Sequence, residues 1–167
     1  VRVLVTGMSG TGKTTVLAEL ERRGHRTVDT DSDAWCHWVM LPDGTADWVW
    51  REDALRSLLT GHREGALFVS GCKSNQGLFY PLFDHIVVLT APREVILSRI
   101  ASRTNNPYGK SPEERALILR HVREVEPLLI ASATLVIDAT LPIGAVADAL
   151  EALAGKPGAP CPPSPDM

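Results

Sequence analysis

Residues 7–14 read Gly7-Met8-Ser9-Gly10-Thr11-Gly12-Lys13-Thr14, and this octapeptide restricts the fold more than any other stretch of the chain. A β-branched run, Val1 to Thr6, precedes it. A helical period follows it, with Val16, Leu17 and Leu20 on one face and Gly24 placed to stop the helix. Gly-x-x-x-x-Gly-Lys-Thr between a strand and a helix is the signature of a loop whose backbone N–H groups turn inward around phosphate oxygens. Glycine permits the dihedrals and the close approach, and the helix N-terminus adds its dipole. Gly7, Ser9, Gly10, Thr11, Gly12, Lys13, Thr14 and Thr15 are therefore the expected cradle for ATP or a related nucleoside triphosphate. Lys13 supplies a point charge to the outer phosphates, and the Thr14 hydroxyl is a ligand for Mg²⁺.

The rest of the chain repeats the alternation. Strand-like runs lie at 26–28, 66–69, 86–89 and 135–137, and helical periods at 51–62, 92–103, 112–131 and 143–154. Ser111-Pro112 is an N-cap followed by proline at the first helical position. Five strands alternating with helices predict an α/β three-layer sandwich of the P-loop NTPase kind. Its five-stranded parallel sheet carries helices on both faces, with a small substrate-binding cap and a lid. A domain over 1–154 is expected, followed by a disordered Pro/Gly-rich tail over 155–167.

Composition narrows the partners. A net charge of -3 gives no general attraction to nucleic acid or anionic lipid, and no apolar run is long enough to span a membrane. Cys36, Cys72 and Cys161 are odd in number and not in metal-site spacing, so free thiols in a reducing compartment are expected. No secretory leader is read at Val1, and a cytoplasmic location is expected. The partner expected is a small-molecule acceptor, met by a monomer or a homodimer.

Phosphoryl transfer needs a carboxylate for the metal and a group to orient or deprotonate the acceptor. Ligands of parallel sheets gather at the carboxyl ends of strands, where Asp29, Asp31 and Asp33 follow Val28. Two carboxylates two residues apart can aim one at the metal and one at a hydroxyl. Asp33 is a further substrate contact or a helix cap. The third strand ends in Ser70-Gly71, without the aspartate that often serves Mg²⁺ there, so the metal carboxylate is expected from the second strand. Positive charge must meet the moving phosphoryl group. Arg99, Arg103, Lys110, Arg120 and Arg123 lie in the segment from 92 to 131, with Thr104 to Ser111 as lid loop. Arg103 and Arg123 are the catalytic candidates among them. Lys73, Ser74 and Asn75 are candidates for acceptor contacts. All four tryptophans fall in 35–50 around Pro42-Asp43-Gly44. They wall the acceptor pocket or pack a small helical cap onto the sheet, and both readings stay open. His37, His62, His85 and His121 have no partner at catalytic spacing and read as surface residues.

This pattern resembles the shikimate-kinase branch of the small P-loop kinases, and more loosely the nucleoside and nucleotide kinases. It also resembles AAA-type ATP-binding proteins of actinobacteria. The resemblance spans nearly all of 1–154. Val28-Asp29-Thr30-Asp31 matches the Asp-x-Asp after strand two, which implies Asp29 near Mg²⁺ and Asp31 near the acceptor hydroxyl. Trp50-Arg51 matches the aromatic-Arg pair that implies Arg51 as a substrate contact, with Ala54 where that family has Glu. Gly71-Cys72-Lys73 keeps only the first glycine of its substrate loop, which implies Gly71 as a substrate contact. Val125 stands where its later substrate arginine is expected, two residues after Arg123. The resemblance implies MgATP-dependent transfer to a small acceptor. The alternative is a switch-type ATPase acting with a protein partner.

Overall fold

The computed structural model describes residues 1–104 and 106–154. Asn105, the tail expected at 155–167 and Cys161 within it lie outside the described residues.

Among the described residues seven strands and six helices follow one another: β1 (Arg2–Gly7), α1 (Lys13–Arg22), β2 (Arg26–Asp29), β3 (Cys36–Met40), β4 (Ala46–Trp50), α2 (Glu52–Gly61), β5 (Leu67–Ser70), β6 (His85–Thr90), α3 (Arg93–Ser102), α4 (Pro112–Glu124), α5 (Glu126–Ser132), β7 (Leu135–Asp138) and α6 (Ile143–Ala154). A 3-10 helix, Gln76–Leu82, leads into β6. The five expected strands form one parallel sheet in the order β2-β5-β1-β6-β7. None of the described helices is long and apolar enough to cross a membrane.

The two-residue period of a strand divides the core. Val3 and Val5 of β1, Phe68 of β5 and Val87 and Leu89 of β6 face one side, with Val16, Leu17 and Leu20 of α1 and Val146, Ala147 and Leu150 of α6. Leu4, Leu67, Val69 and Ile86 face the other, against Leu55 and Leu59 of α2 and Trp50, Phe79 and Phe83. Burial on both faces explains why these strands read as continuous apolar runs. Each fully buried leucine or valine contributes about 2 kcal/mol of transfer free energy. Arg23 ties the first layer together across α1 and α6, pairing with Glu19 at 2.8 Å, Asp148 at 2.7 Å and Glu151 at 2.9 Å.

Two expectations are corrected. The tryptophan segment is not a helical cap but an antiparallel hairpin, β3 with β4, forming a sheet of its own. Its turn is fixed by Asp43 Oδ1, which accepts from Thr45 N at 2.9 Å and Thr45 Oγ1 at 2.6 Å, and by Gly44 at φ 85. Cys36-His37-Trp38-Val39-Met40 pairs residue for residue with Trp50 back to Ala46, so Trp38 lies opposite Trp48. The helix expected over 112–131 is two helices. Pro127 has no N–H to donate to the preceding turn and disfavours helical geometry at Glu126, so the chain turns at Val125 and restarts as α5.

Candidate active site

The loop from Gly7 to Thr14 joins β1 to α1 and has the backbone of an anion cradle. Gly7, Gly10 and Gly12 take φ of 149, 83 and 94. At Gly7 a Cβ would stand 2.5 Å from the Leu89 carbonyl oxygen of β6, so any side chain would push the loop off the sheet. Thr11, buried, donates its hydroxyl to Met8 O at 2.8 Å and staples the loop from within. Lys13 bends back over the loop, its Nζ donating to Gly7 O at 2.7 Å and Met8 O at 3.0 Å. Burial pushes the Lys13 ammonium below the usual lysine range, while Cys72, Asp31 and Asp29 pull the other way.

Two cavities open on either side of Lys13. The first, about 430 Å³, runs along the loop to Arg99 and Arg103 of α3 and to Leu141 and Ile143 after β7. The second, about 670 Å³, lies between the acidic end of β2, the hairpin, the residues after β5 and α4. Ser9, Lys13, Thr14, Asp31 and Asn106 line both, so the cavities share a wall where the loop meets β2.

Thr14 Oγ1 donates to Asp29 Oδ2 at 3.2 Å, and Asp29 Oδ1 in turn accepts from Asp31 N at 3.1 Å. A hydroxyl and one carboxylate beside a phosphate cradle are hard oxygen donors suited to Mg²⁺, which takes few protein ligands and keeps phosphate and water for the rest. Among the described residues no group of three His, Cys, Asp or Glu is placed to hold a metal by itself. Asp31 is held by Lys73, whose Nζ stands 3.0 Å from its Oδ1 and 4.2 Å from the centre of the Trp48 ring. Arg103 donates from Nη2 to Tyr108 O at 2.6 Å and reaches Ser9 Oγ at 3.5 Å, while its Nε is buried with no partner. Burial disfavours its charged form, with Asp31 and Tyr108 opposing. A triphosphate in the first cavity fits such a site, because its oxygens would satisfy that orphaned donor.

Of the expected residues, the loop and its helix start, Asp31 and Arg103 line the first cavity, while Gly7, Asp29, Gly71 and Lys73 line the second. Three lie outside both linings. Arg51 turns away, its Nε donating to the backbone Asp33 O at 2.9 Å, and the exposed Asp33 lines neither cavity. The Arg123 side chain is 76% exposed on α4 and approaches Glu124 at 3.6 Å. Gly71 is buried against Trp50, whose Nε1 donates to Thr30 Oγ1 at 2.7 Å. Trp38 and Trp48 line the second cavity, as one of the two readings of the tryptophans had it, and the linings add Asp47, Asn106, Tyr108 and His121. Period-two alternation across 36–50 with the Pro-Asp-Gly turn was the available signal for the hairpin that carries Asp47 to the cavity. His121, expected at the surface, is half-buried on the cavity side of α4.

A family model described as an AAA domain matches residues 3–120. The chain belongs to that family. No curated protein matches it. Among solved structures, shikimate kinase from Acinetobacter baumannii in complex with shikimate superposes with a TM-score of 0.65 at 18% identity, over 91% of each chain. Deoxyadenosine kinase from M. mycoides with bound dATP gives 0.60 at 13% identity, over 91% of this chain and 97% of that one. A gluconokinase from Sinorhizobium meliloti 1021 gives 0.56 at 18%, over 92% and 93%. At such identities the likeness is one of fold: this AAA-domain chain is an α/β P-loop protein built like the small P-loop kinases.

Proposed function

We propose that the chain transfers the terminal phosphoryl group of MgATP to a hydroxyl of a small-molecule acceptor. The observation that carries the reading is the wall shared by the two cavities. A triphosphate lying along the cradle in the first cavity would end beside Lys13, where the second cavity begins. Asp31, on that wall, is positioned to take the proton of an acceptor hydroxyl, and Lys73 fixes its orientation. The acceptor oxygen forms the new P–O bond, the bond to the β-phosphate oxygen breaks, and ADP leaves. Lys13 and Arg103 meet the charge that spreads over the group in flight. Thr14 and Asp29 would hold Mg²⁺, which neutralises charge on the outer phosphates. The free thiols of Cys36 and Cys72 support the cytoplasm as the place of work.

The test is ADP release with MgATP across a panel of hydroxyl acceptors, with Lys13→Ala as control. Acceptor-dependent turnover that falls by about 10²–10³-fold or more in the variant is expected, the scale for losing one electrostatic stabiliser. Turnover indifferent to every acceptor, or unchanged in Lys13→Ala, would refute the reading.

A further inference from the structure

The second cavity has an unusual charge inventory for a pocket that receives a small molecule beside a triphosphate. Three carboxylates line it: Asp29 and Asp31 from the end of β2, and Asp47 from β4. Asp47 accepts from the Ser74 hydroxyl, which anchors it. Among the described residues no arginine lines this cavity. Arg51 is spent on Asp33 O, Arg103 belongs to the first cavity and Arg123 points outward.

The two lysines on the lining are committed. Lys13 serves the loop. Lys73, with its side chain 12% exposed, sits between Asp31 and the face of Trp48. Lys110, close by in sequence, is also engaged, its Nζ donating to the carbonyls of Ile100, Ala101 and Arg103 at the end of α3. Among the described residues the remaining basic side chain on the lining is His121. A carboxylate or phosphate on the acceptor would therefore find no guanidinium fork, and would share the lining with Asp47, which has no cationic partner among the described residues.

What the pocket does offer is aromatic surface. Trp38 and Trp48, with ring centres 6.3 Å apart, stand side by side on one face of the hairpin and line the cavity. Tyr108 and the exposed Leu117 lie on the lid side. Such walls take flat or apolar faces, and Trp38, which lies 69% exposed, has its surface free for one.

We propose that the acceptor is an alcohol bearing no carboxylate or phosphate, uncharged or cationic, that lays a flat or apolar face on the Trp38–Trp48 pair. This rests on the phosphoryl-transfer reading for the hydroxyl. The charge preference itself rests only on the cavity lining.

Two measurements test it. The first is ADP release with MgATP from matched probes: cytidine against cytidine 5′-monophosphate, glucose against gluconate, and glucosamine against glucuronate. In each pair that turns over, the member without the anion is expected to have the higher kcat/KM, by about tenfold or more, and Asp47→Asn is expected to narrow the gap. The second needs no turnover. Collisional quenching of tryptophan fluorescence by caesium and by iodide, at constant ionic strength and normalised to free tryptophanamide, reads the charge around the exposed ring, and Trp38→Phe identifies its share. Caesium is expected to win by about twofold or more, and Asp47→Asn to bring the two constants together. A caesium advantage with no acceptor-dependent ADP release from any probe would uphold the charge preference while removing the transfer reading. An iodide advantage would overturn the preference, as would an anionic member winning its pair; in the latter case transfer itself would stand.

Discussion

Gly71→Ala tests whether the glycine after β5 is required by packing and not by a ligand. A Cβ built at Gly71 falls inside contact distance of Thr30 Oγ1 and stands 2.9 Å from Trp50 Cζ2. Neither neighbour can give way cheaply. Thr30 is fully buried and donates to Ser70 O at 2.7 Å while accepting from Trp50 Nε1 at 2.7 Å. Trp50 is fully buried and packs edge-on to Phe79, with ring centres 5.5 Å apart. Overpacking a tight core costs about 1–3 kcal/mol, and stretching the buried indole bond adds about 1 kcal/mol. The sum, about 3 kcal/mol, lowers the Tm of a chain this size by about 6–12 °C. Gly77→Ala is the control, because nothing stands within 4 Å of its Cβ, and it should stay within about 0.5 kcal/mol of the parent. Thermal unfolding followed by near-ultraviolet circular dichroism reads the global transition and the Trp50 environment together. In the double variant with Thr30→Ala, the clash is relieved, so the two costs should fall short of additivity by about 1 kcal/mol. A Gly71→Ala variant that melts with the parent, yet loses acceptor-dependent turnover, would refute the packing argument.

Asn75→Ala should loosen the hairpin, since Asn75 Nδ2 donates to Trp50 O at 3.0 Å and its Oδ1 accepts from Trp50 N at 3.2 Å; steady-state kinetics should show acceptor KM raised about three- to tenfold with KM for ATP unchanged. Arg103→Ala should lower kcat by about 10²-fold or more without loss of Tm, measured by ADP release and thermal unfolding. The Arg22 and Arg23 guanidinium groups hold Glu19 at about 2, below its usual 4.5, so its contribution is complete above pH 4.5 and is lost as pH falls from there toward 2. Urea midpoints should therefore decline across that window, and more gently in Arg23→Gln.

The sheet was legible because its strands are buried on both faces. Val1 to Thr6, Ala66 to Val69 and Ile86 to Leu89 read as strands from apolar content alone. The cradle was legible because its residues are contiguous and each has a separate physical duty. The hairpin was hidden because four tryptophans in 35–50 weigh as bulk, whereas alternation puts Cys36, Trp38, Trp48 and Trp50 on one face, with Cys36 and Trp50 at its root in the core and Trp38 and Trp48 farther out on the cavity lining. The arginines were hardest. Arg103 and Arg123 both read as arginines at the ends of helical periods, and only the tertiary placement of α3 and α4 separates the one lining the cradle from the one in solvent.

The hairpin also has a bearing on how such a chain diversifies. Its two strands bond to each other and to no strand of the main sheet, and the segment leaves and rejoins the scaffold at one point, where Arg51 N meets Trp35 O at 2.7 Å. Lengthening, shortening or exchanging the stretch between those residues leaves the loop-closure entropy of the sheet almost untouched. Replacement can therefore change what the second cavity admits while the cradle of 7–14 is inherited intact. Exchange confined to 37–48, which leaves the core residues Cys36, Val49 and Trp50 in place, is the expected way to alter what the second cavity admits.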